Sequence, residues 1–229
     1  MLEELRKQVL EANLELVRRG LVLYTFGNAS GISRAEGLVA IKPSGVPYEG
    51  MRPEDLVITD LDGNIVAGAL RPSSDLATHL VLYRAFAGIG GVVHTHSRYA
   101  TSWAQARRPI PCLGTTHADY FRGPVPVTRA MQPGEIEAAY EANTGVVIER
   151  HFAGRDPMEM PAVLVAGHGP FCWGASAAEA AHNAVILEYV AEMAYYSVML
   201  AERAEALHPA HLDKHFLRKH GAGAYYGQK

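Results

Sequence analysis

The sequence predicts an α/β layered fold on three observations. Helical and extended signals alternate from end to end, the first helices carry their apolar residues on one face, and no repeat or linker divides the chain. With 229 residues, 48% of them hydrophobic and 20% charged, one large core can be buried, so a single domain over 1–229 is expected.

Leu2 to Arg19 sets Leu5, Val9, Ala12 and Leu16 on one helical face and stops at Gly20. Leu38 to Ile41 and Leu56 to Thr59 read as strands, the latter joined to Ile65-Val66 by the hairpin signal Asp62-Gly63. Ser73-Ser74-Asp75 offers caps for a helix to about Phe86, with Leu76, Leu80 and Tyr83 facing inward. Gly90-Gly91 then leads into an apolar strand carrying His94 and His96, and Ser97 is a good helix N-cap directly after it. A helix is expected over 134–150, a strand pair around Val163 and Phe171 to Trp173, and a long helix over 177–205. A last helix over 208–220 closes at Gly221 before a tail over 222–229.

A formal charge of -3 gives no electrostatic basis for binding nucleic acid, and no apolar stretch is long enough for a bilayer, so neither partner is expected. Met1-Leu2-Glu3-Glu4 begins an acidic, helical segment and no secretory leader, which predicts a cytoplasmic location. Cys112 and Cys172 stand alone, without the spacing of a disulfide scaffold or a thiolate zinc site.

Chemistry concentrates at His94-Thr95-His96. Alternate residues of a strand share a face, so both imidazoles can reach one ion, and His168 within Gly167-His168-Gly169-Pro170 is a third candidate ligand. Three neutral nitrogens with an open position are the layout of a catalytic metal site. His79, His151, His182, His208, His211, His215 and His220 read as packed or solvated, while the role of His117 stays open.

Several motifs together resemble the class II aldolase and adducin head-domain superfamily. They are Gly27-Asn28-Ala29-Ser30, Lys42-Pro43-Ser44-Gly45, Pro72-Ser73-Ser74-Asp75, His94-Thr95-His96-Ser97 and Gly167-His168-Gly169-Pro170, in order along nearly the whole chain. Gly114-Thr115-Thr116-His117-Ala118-Asp119-Tyr120-Phe121 and the tail from Arg218 through Tyr225-Tyr226 are similar to the L-ribulose-5-phosphate 4-epimerases within it.

That resemblance implies a three-layer α/β/α fold with a largely antiparallel central sheet, and a homotetramer with active sites at subunit interfaces. It implies Zn2+, or Mn2+ or Co2+ in its place, on His94, His96 and His168 with Asp75 close by. A small sugar phosphate is the implied partner, bound by Gly27, Asn28, Lys42, Ser44, Gly45, Ser73 and Ser74, with Thr116 as a further contact. Asp119 and Tyr226 map to the acid/base pair, although alone the first reads as a turn carboxylate and the second as a tail anchor. The implied reaction belongs to pentose phosphate metabolism, in arabinose or ascorbate utilisation alike.

The implied reaction agrees with the chemistry available. The C4 hydrogen of a 2-ketose is not adjacent to the C2 carbonyl, so enolisation cannot invert C4. Oxidation at C4 needs a hydride acceptor, and no strand is followed by Gly-x-Gly-x-x-Gly. Retro-aldol cleavage of C3–C4 needs only a Lewis acid to stabilise the enediolate, after which glycolaldehyde phosphate rotates and is attacked on its other face. A Schiff base would require a desolvated lysine, for which Lys42 is the one interior-loop candidate, so the metal route is preferred.

Two alternatives remain. An aldolase of the L-fuculose-1-phosphate type would release the fragments, but those enzymes resemble Ser-Ser-Glu where this chain has Ser73-Ser74-Asp75. An adducin-like interaction domain needs no metal, and the three histidines argue against it.

Overall fold

Gly27–Ser33 (β1), Leu38–Ile41 (β2), Val57–Asp60 (β3), Ile65–Ala67 (β4), Gly91–Thr95 (β5), Ala162–Leu164 (β6) and Pro170–Gly174 (β7) form one sheet in a computed structural model that describes residues 2–227. Met1, Gln228 and Lys229, at the ends of the expected domain and tail, lie outside the described residues. The strand order is β4-β3-β2-β1-β5-β7-β6, and each pairing is antiparallel. The helices are Leu2–Arg18 (α1), Leu76–Ala85 (α2), Arg98–Gln105 (α3), Thr115–Ala118 (α4), Pro133–His151 (α5), Ala177–Leu200 (α6) and Pro209–His220 (α7).

Period-two alternation divides the strand side chains between two cores, which gives the expected three-layer α/β/α arrangement. Ala29, Ala40, Ile58, Val93 and Cys172 face α1, α3 and α6, where Val9, Leu16, Trp103 and Leu187 are buried. Ile32, Val39, Ile41, Val92, Phe171 and Trp173 face α2 and α5, where Leu80, Tyr83 and Ile148 are buried. Asn28, Ser30 and His94 share the parity of Ile32 and Val92, so the polar chemistry lies on the α2/α5 face.

The central strand β1 was not evident as a strand, because Gly27-Asn28-Ala29-Ser30-Gly31-Ile32-Ser33 has no apolar run. Close packing explains the small residues: a Cβ on Gly31 would stand 2.8 Å from Val9 Cγ2 of α1. The Asn13 side chain accepts from Ala29 N at 2.9 Å and donates to Ala29 O at 3.0 Å, tying α1 to the strand backbone.

Both expected caps need correction. Ser97 and Asp75 occupy N-cap positions without a side-chain capping bond. The first amides of α3, Tyr99 N and Ala100 N, instead donate to the Glu188 carboxylate of α6 at 2.8 and 2.9 Å. The Asp75 carboxylate instead accepts from the Asn28 side chain of β1. The long helix also ends earlier than expected, at Leu200, and Leu207 N then donates to Cys112 O at 2.8 Å.

Candidate active site

His94 lies on β5 and His96 just beyond its end, so strand alternation turns both rings to one face. His168 comes from the turn between β6 and β7. That turn needs two glycines for different reasons: Gly167 adopts φ 75°, and a Cβ on Gly169 would lie 2.8 Å from Thr95 O. The turn can therefore lie against the end of β5, and one ligand nitrogen from each histidine falls within 4.8 Å of the others.

The donor chemistry fits a metal. His94 Nδ1 donates to Pro170 O at 2.9 Å, which leaves His94 Nε2 unprotonated and aimed at His96 Nε2, 3.1 Å away. Two nitrogens bound tetrahedrally to one zinc ion are about 3.4 Å apart, given Zn–N bonds of about 2.0–2.1 Å. Phe171 stacks on the His94 ring with a centroid distance of 4.2 Å and fixes its plane. Burial lowers the pKa of all three histidines, and the charges of His168 and His96 lower His94 further, so the rings stay in the neutral form that ligates.

A cavity of about 410 Å³ opens over this group. It is lined by most of the residues singled out from sequence: Gly27, Asn28, Lys42, Ser44, Gly45, Ser73, Ser74 and Asp75. Two backbone bonds bring their loops together, Ser44 N to Arg71 O at 2.9 Å and Ser73 N to Lys42 O at 3.0 Å. Asp75 stands beside the three histidines and not within their ligand group; its carboxylate accepts from Asn28 Nδ2 at 2.6 Å.

Lys42 is 2% exposed, with its ammonium donating to Val46 O at 2.6 Å and Pro43 O at 3.1 Å and facing the Tyr48 ring. Burial pushes its pKa down to about 8, so it still carries its charge at neutral pH. A larger cavity of about 700 Å³, around Phe86, Arg150 and Arg155, holds none of the three clustered histidines.

One chain does not bring every singled-out residue into the histidine cavity. Thr116 lines a separate, small hollow with Met193 and Ser197. Asp119 is bound by Arg218 at 2.8 and 3.0 Å and by His215 at 3.0 Å, and Tyr226 lies against Arg218 and Lys219. Burial alone would raise the Asp119 pKa, but hydrogen bonds from Arg218 and His215 and the charge of Lys219 hold it below its ordinary value. Conversely, Phe26, Tyr140 and Glu141 line the cavity without having been singled out. Tyr140 and Glu141 sit in a helix with no local motif, so only the fold reveals them.

Residues 7–195 match the family described as Class II Aldolase and Adducin N-terminal domain. The chain belongs to the class II aldolase and adducin family. A class II relative from Salmonella paratyphi C, L-ribulose-5-phosphate 4-epimerase UlaF, is 51% identical over 228 residues, covering 100% of both chains. The protein of the same name from Salmonella choleraesuis matches to the same extent. Among solved structures of this class II fold, an L-fuculose 1-phosphate aldolase gives a TM-score of 0.78 at 27% identity, covering 93% of this chain and 94% of that one. The L-fuculose-1-phosphate aldolase from Thermus thermophilus gives 0.68 at 27%, covering 87% and 98%.

The remaining buried histidines are structural. His79 Nδ1 pairs with Ser30 Oγ at 2.7 Å, and His117 Nε2 donates to Gly123 O at 2.8 Å. Burial pushes His79 down to about 3 and His117 down to about 4. The unfolded chain takes up protons on these rings near pH 6.5, whereas the folded chain does not until well below. Stability of the metal-free protein should therefore fall as pH drops through that window, by roughly 1 kcal/mol per pH unit for each ring. The ligand histidines, lowered likewise, add in the same direction. Urea midpoints measured near pH 7 and near pH 5 check this, and equal midpoints would mean that the rings accept protons inside the fold.

Proposed function

We infer that this chain is an L-ribulose-5-phosphate 4-epimerase, interconverting L-ribulose 5-phosphate and D-xylulose 5-phosphate by cleaving and remaking the C3–C4 bond. The observation that carries this reading is full-length likeness to a 4-epimerase in a chain whose three histidines and polar loops share one cavity.

Bound at this group, a divalent ion, zinc with manganese or cobalt as substitutes, would supply the Lewis acidity that C3–C4 cleavage needs. His94, His96 and His168 would hold it through neutral nitrogens, and Asp75 would add negative charge from beside them. Asn28, Ser44, Ser73 and Ser74, with the backbone at Gly27 and Gly45, bind the phosphate by amide, hydroxyl and N–H donors. Lys42 contributes its charge, with its ammonium held by two backbone carbonyls.

Asp119 and Tyr226 exchange the proton at the C4 oxygen on the two faces of the aldehyde, with Thr116 beside them, reaching the cavity from a neighbouring copy. Such sharing needs an oligomer, and the family resemblance makes it a homotetramer. The domain spans 1–229, and the enzyme acts in the cytoplasm on pentose phosphates from arabinose or ascorbate.

The zinc-loaded protein, followed by NMR with L-ribulose 5-phosphate, should yield D-xylulose 5-phosphate without free dihydroxyacetone. Accumulating dihydroxyacetone would instead support the aldolase reading, which the fold likeness to L-fuculose 1-phosphate aldolase keeps in play. No turnover at all would overturn the epimerase assignment.

A further inference from the structure

Helix α5 is broken in a place that matters to the histidine group. Ala139 has φ -152° and ψ 74°, outside helical geometry. The Glu135 carbonyl, which a continuous helix would bond to residue 139, accepts from Asn143 Nδ2 at 2.7 Å instead. Beyond the break the chain is anchored twice: Thr78 Oγ1 of α2 donates to Glu141 O at 2.6 Å, and Thr144 Oγ1 donates to Tyr140 O at 2.8 Å. Tyr140 is thereby held over the cavity, its hydroxyl 3.2 Å from His168 Nδ1.

The direction of that hydrogen bond is set by the role of His168. A neutral imidazole has one N–H and one lone pair, so a His168 that ligates through Nε2 must carry its hydrogen on Nδ1. Nδ1 is then the donor and the phenol oxygen the acceptor. The phenol hydrogen, no longer needed by His168, is free to turn into the cavity that Tyr140 lines. His94 shows the same device with a different acceptor, the Pro170 carbonyl, which has no hydrogen to offer in return.

We propose that Tyr140 holds His168 in its ligating tautomer and, through the hydroxyl hydrogen this frees, donates to an oxygen of the bound ketose phosphate. The inference rests on the reading of His94, His96 and His168 as a metal group.

Tyr140→Phe tests it, since the ring and its packing are kept and only the hydroxyl is lost. Zinc affinity by chelator competition and the visible spectrum of the cobalt-substituted protein report on His168; kcat and KM report on the substrate. The variant should keep the wild-type melting temperature, bind zinc about 10–100-fold more weakly and show shifted cobalt bands. When saturated with metal it should also lose turnover or substrate affinity. Unchanged zinc affinity and cobalt bands would overturn the positioning role, and unchanged kinetics at metal saturation would overturn the donor role. A wild-type protein that binds no cobalt would remove the metal reading and this inference with it, an outcome distinct from a metal-binding wild type that the substitution does not alter.

Discussion

His96→Asn should abolish both bound metal and epimerisation while leaving the fold intact. His96 is the exposed member of the group, whereas His94 is buried and His168 intermediate. It belongs to neither hydrophobic core, and among the described residues its ring meets only Phe26, His94 and His168 as aromatic neighbours. Its removal therefore deletes a ligand without opening a cavity, and the metal-free stability should change by no more than about 0.5 kcal/mol, the usual range for a substitution outside the core. The loss of metal affinity should exceed the about 10–100-fold that accompanies loss of an outer hydrogen-bond partner, because a ligand itself is gone. Elemental analysis after gel filtration, alongside turnover and a thermal melt, distinguishes the cases. Wild-type metal content with wild-type turnover would refute the ligand set, and a collapsed melt would show His96 to be part of the structure.

Much of this site was legible because its chemistry obeys local rules. Strand period alone put His94 and His96 on one face, within reach of one ion, without knowledge of the partner strands. Leu38 to Ile41 and Phe171 to Trp173 were equally legible as short strands, but as continuous apolar runs they did not reveal which residue faces which core. The features that escaped were choices made by tertiary contacts. Gly27–Ser33 has five buried residues in succession, yet its residues are small because α1 and α6 press on one side and Tyr83 and His79 bond to Ser30 on the other. Asp75 has the composition of a cap, but the fold turns its carboxylate to Asn28 across a separation of 47 residues. Glu188 serves as the distant substitute for the cap expected at Ser97. The residues after Leu200 include no glycine or proline stop before Pro209, and the helix ends there in favour of the Leu207 bond to Cys112. Tyr140 enters the cavity through a break in α5 secured by Asn143 and Thr78, neither of which marks the break locally.

The separation of Asp119 and Tyr226 from the histidine cavity leads to the second large effect. Asp119→Asn and Tyr226→Phe should each slow epimerisation by about 10²–10⁴-fold, the range for loss of a general acid or base, with metal still bound. Burial would raise the Asp119 pKa, but Arg218, His215 and Lys219 hold it below its ordinary value, so at neutral pH Asp119 is in the ionised form that can accept a proton. If these residues reach the cavity from a neighbouring copy, two inactive variants can repair each other. Mixed and reassembled in equal amounts, His96→Asn and Asp119→Asn chains should recover about a quarter of the wild-type activity, since a site works only when its histidine group comes from an Asp119→Asn chain and its Asp119 from a His96→Asn chain, each about half the time. The recovery comes from sites pairing an intact histidine group with an intact Asp119, and it should vanish when either variant is assayed alone. A mixture no more active than its components, despite demonstrated subunit exchange, would place both groups within a single chain. That result would require Asp119, at the end of α4, to move towards the cavity together with the α7 side chains that bind it.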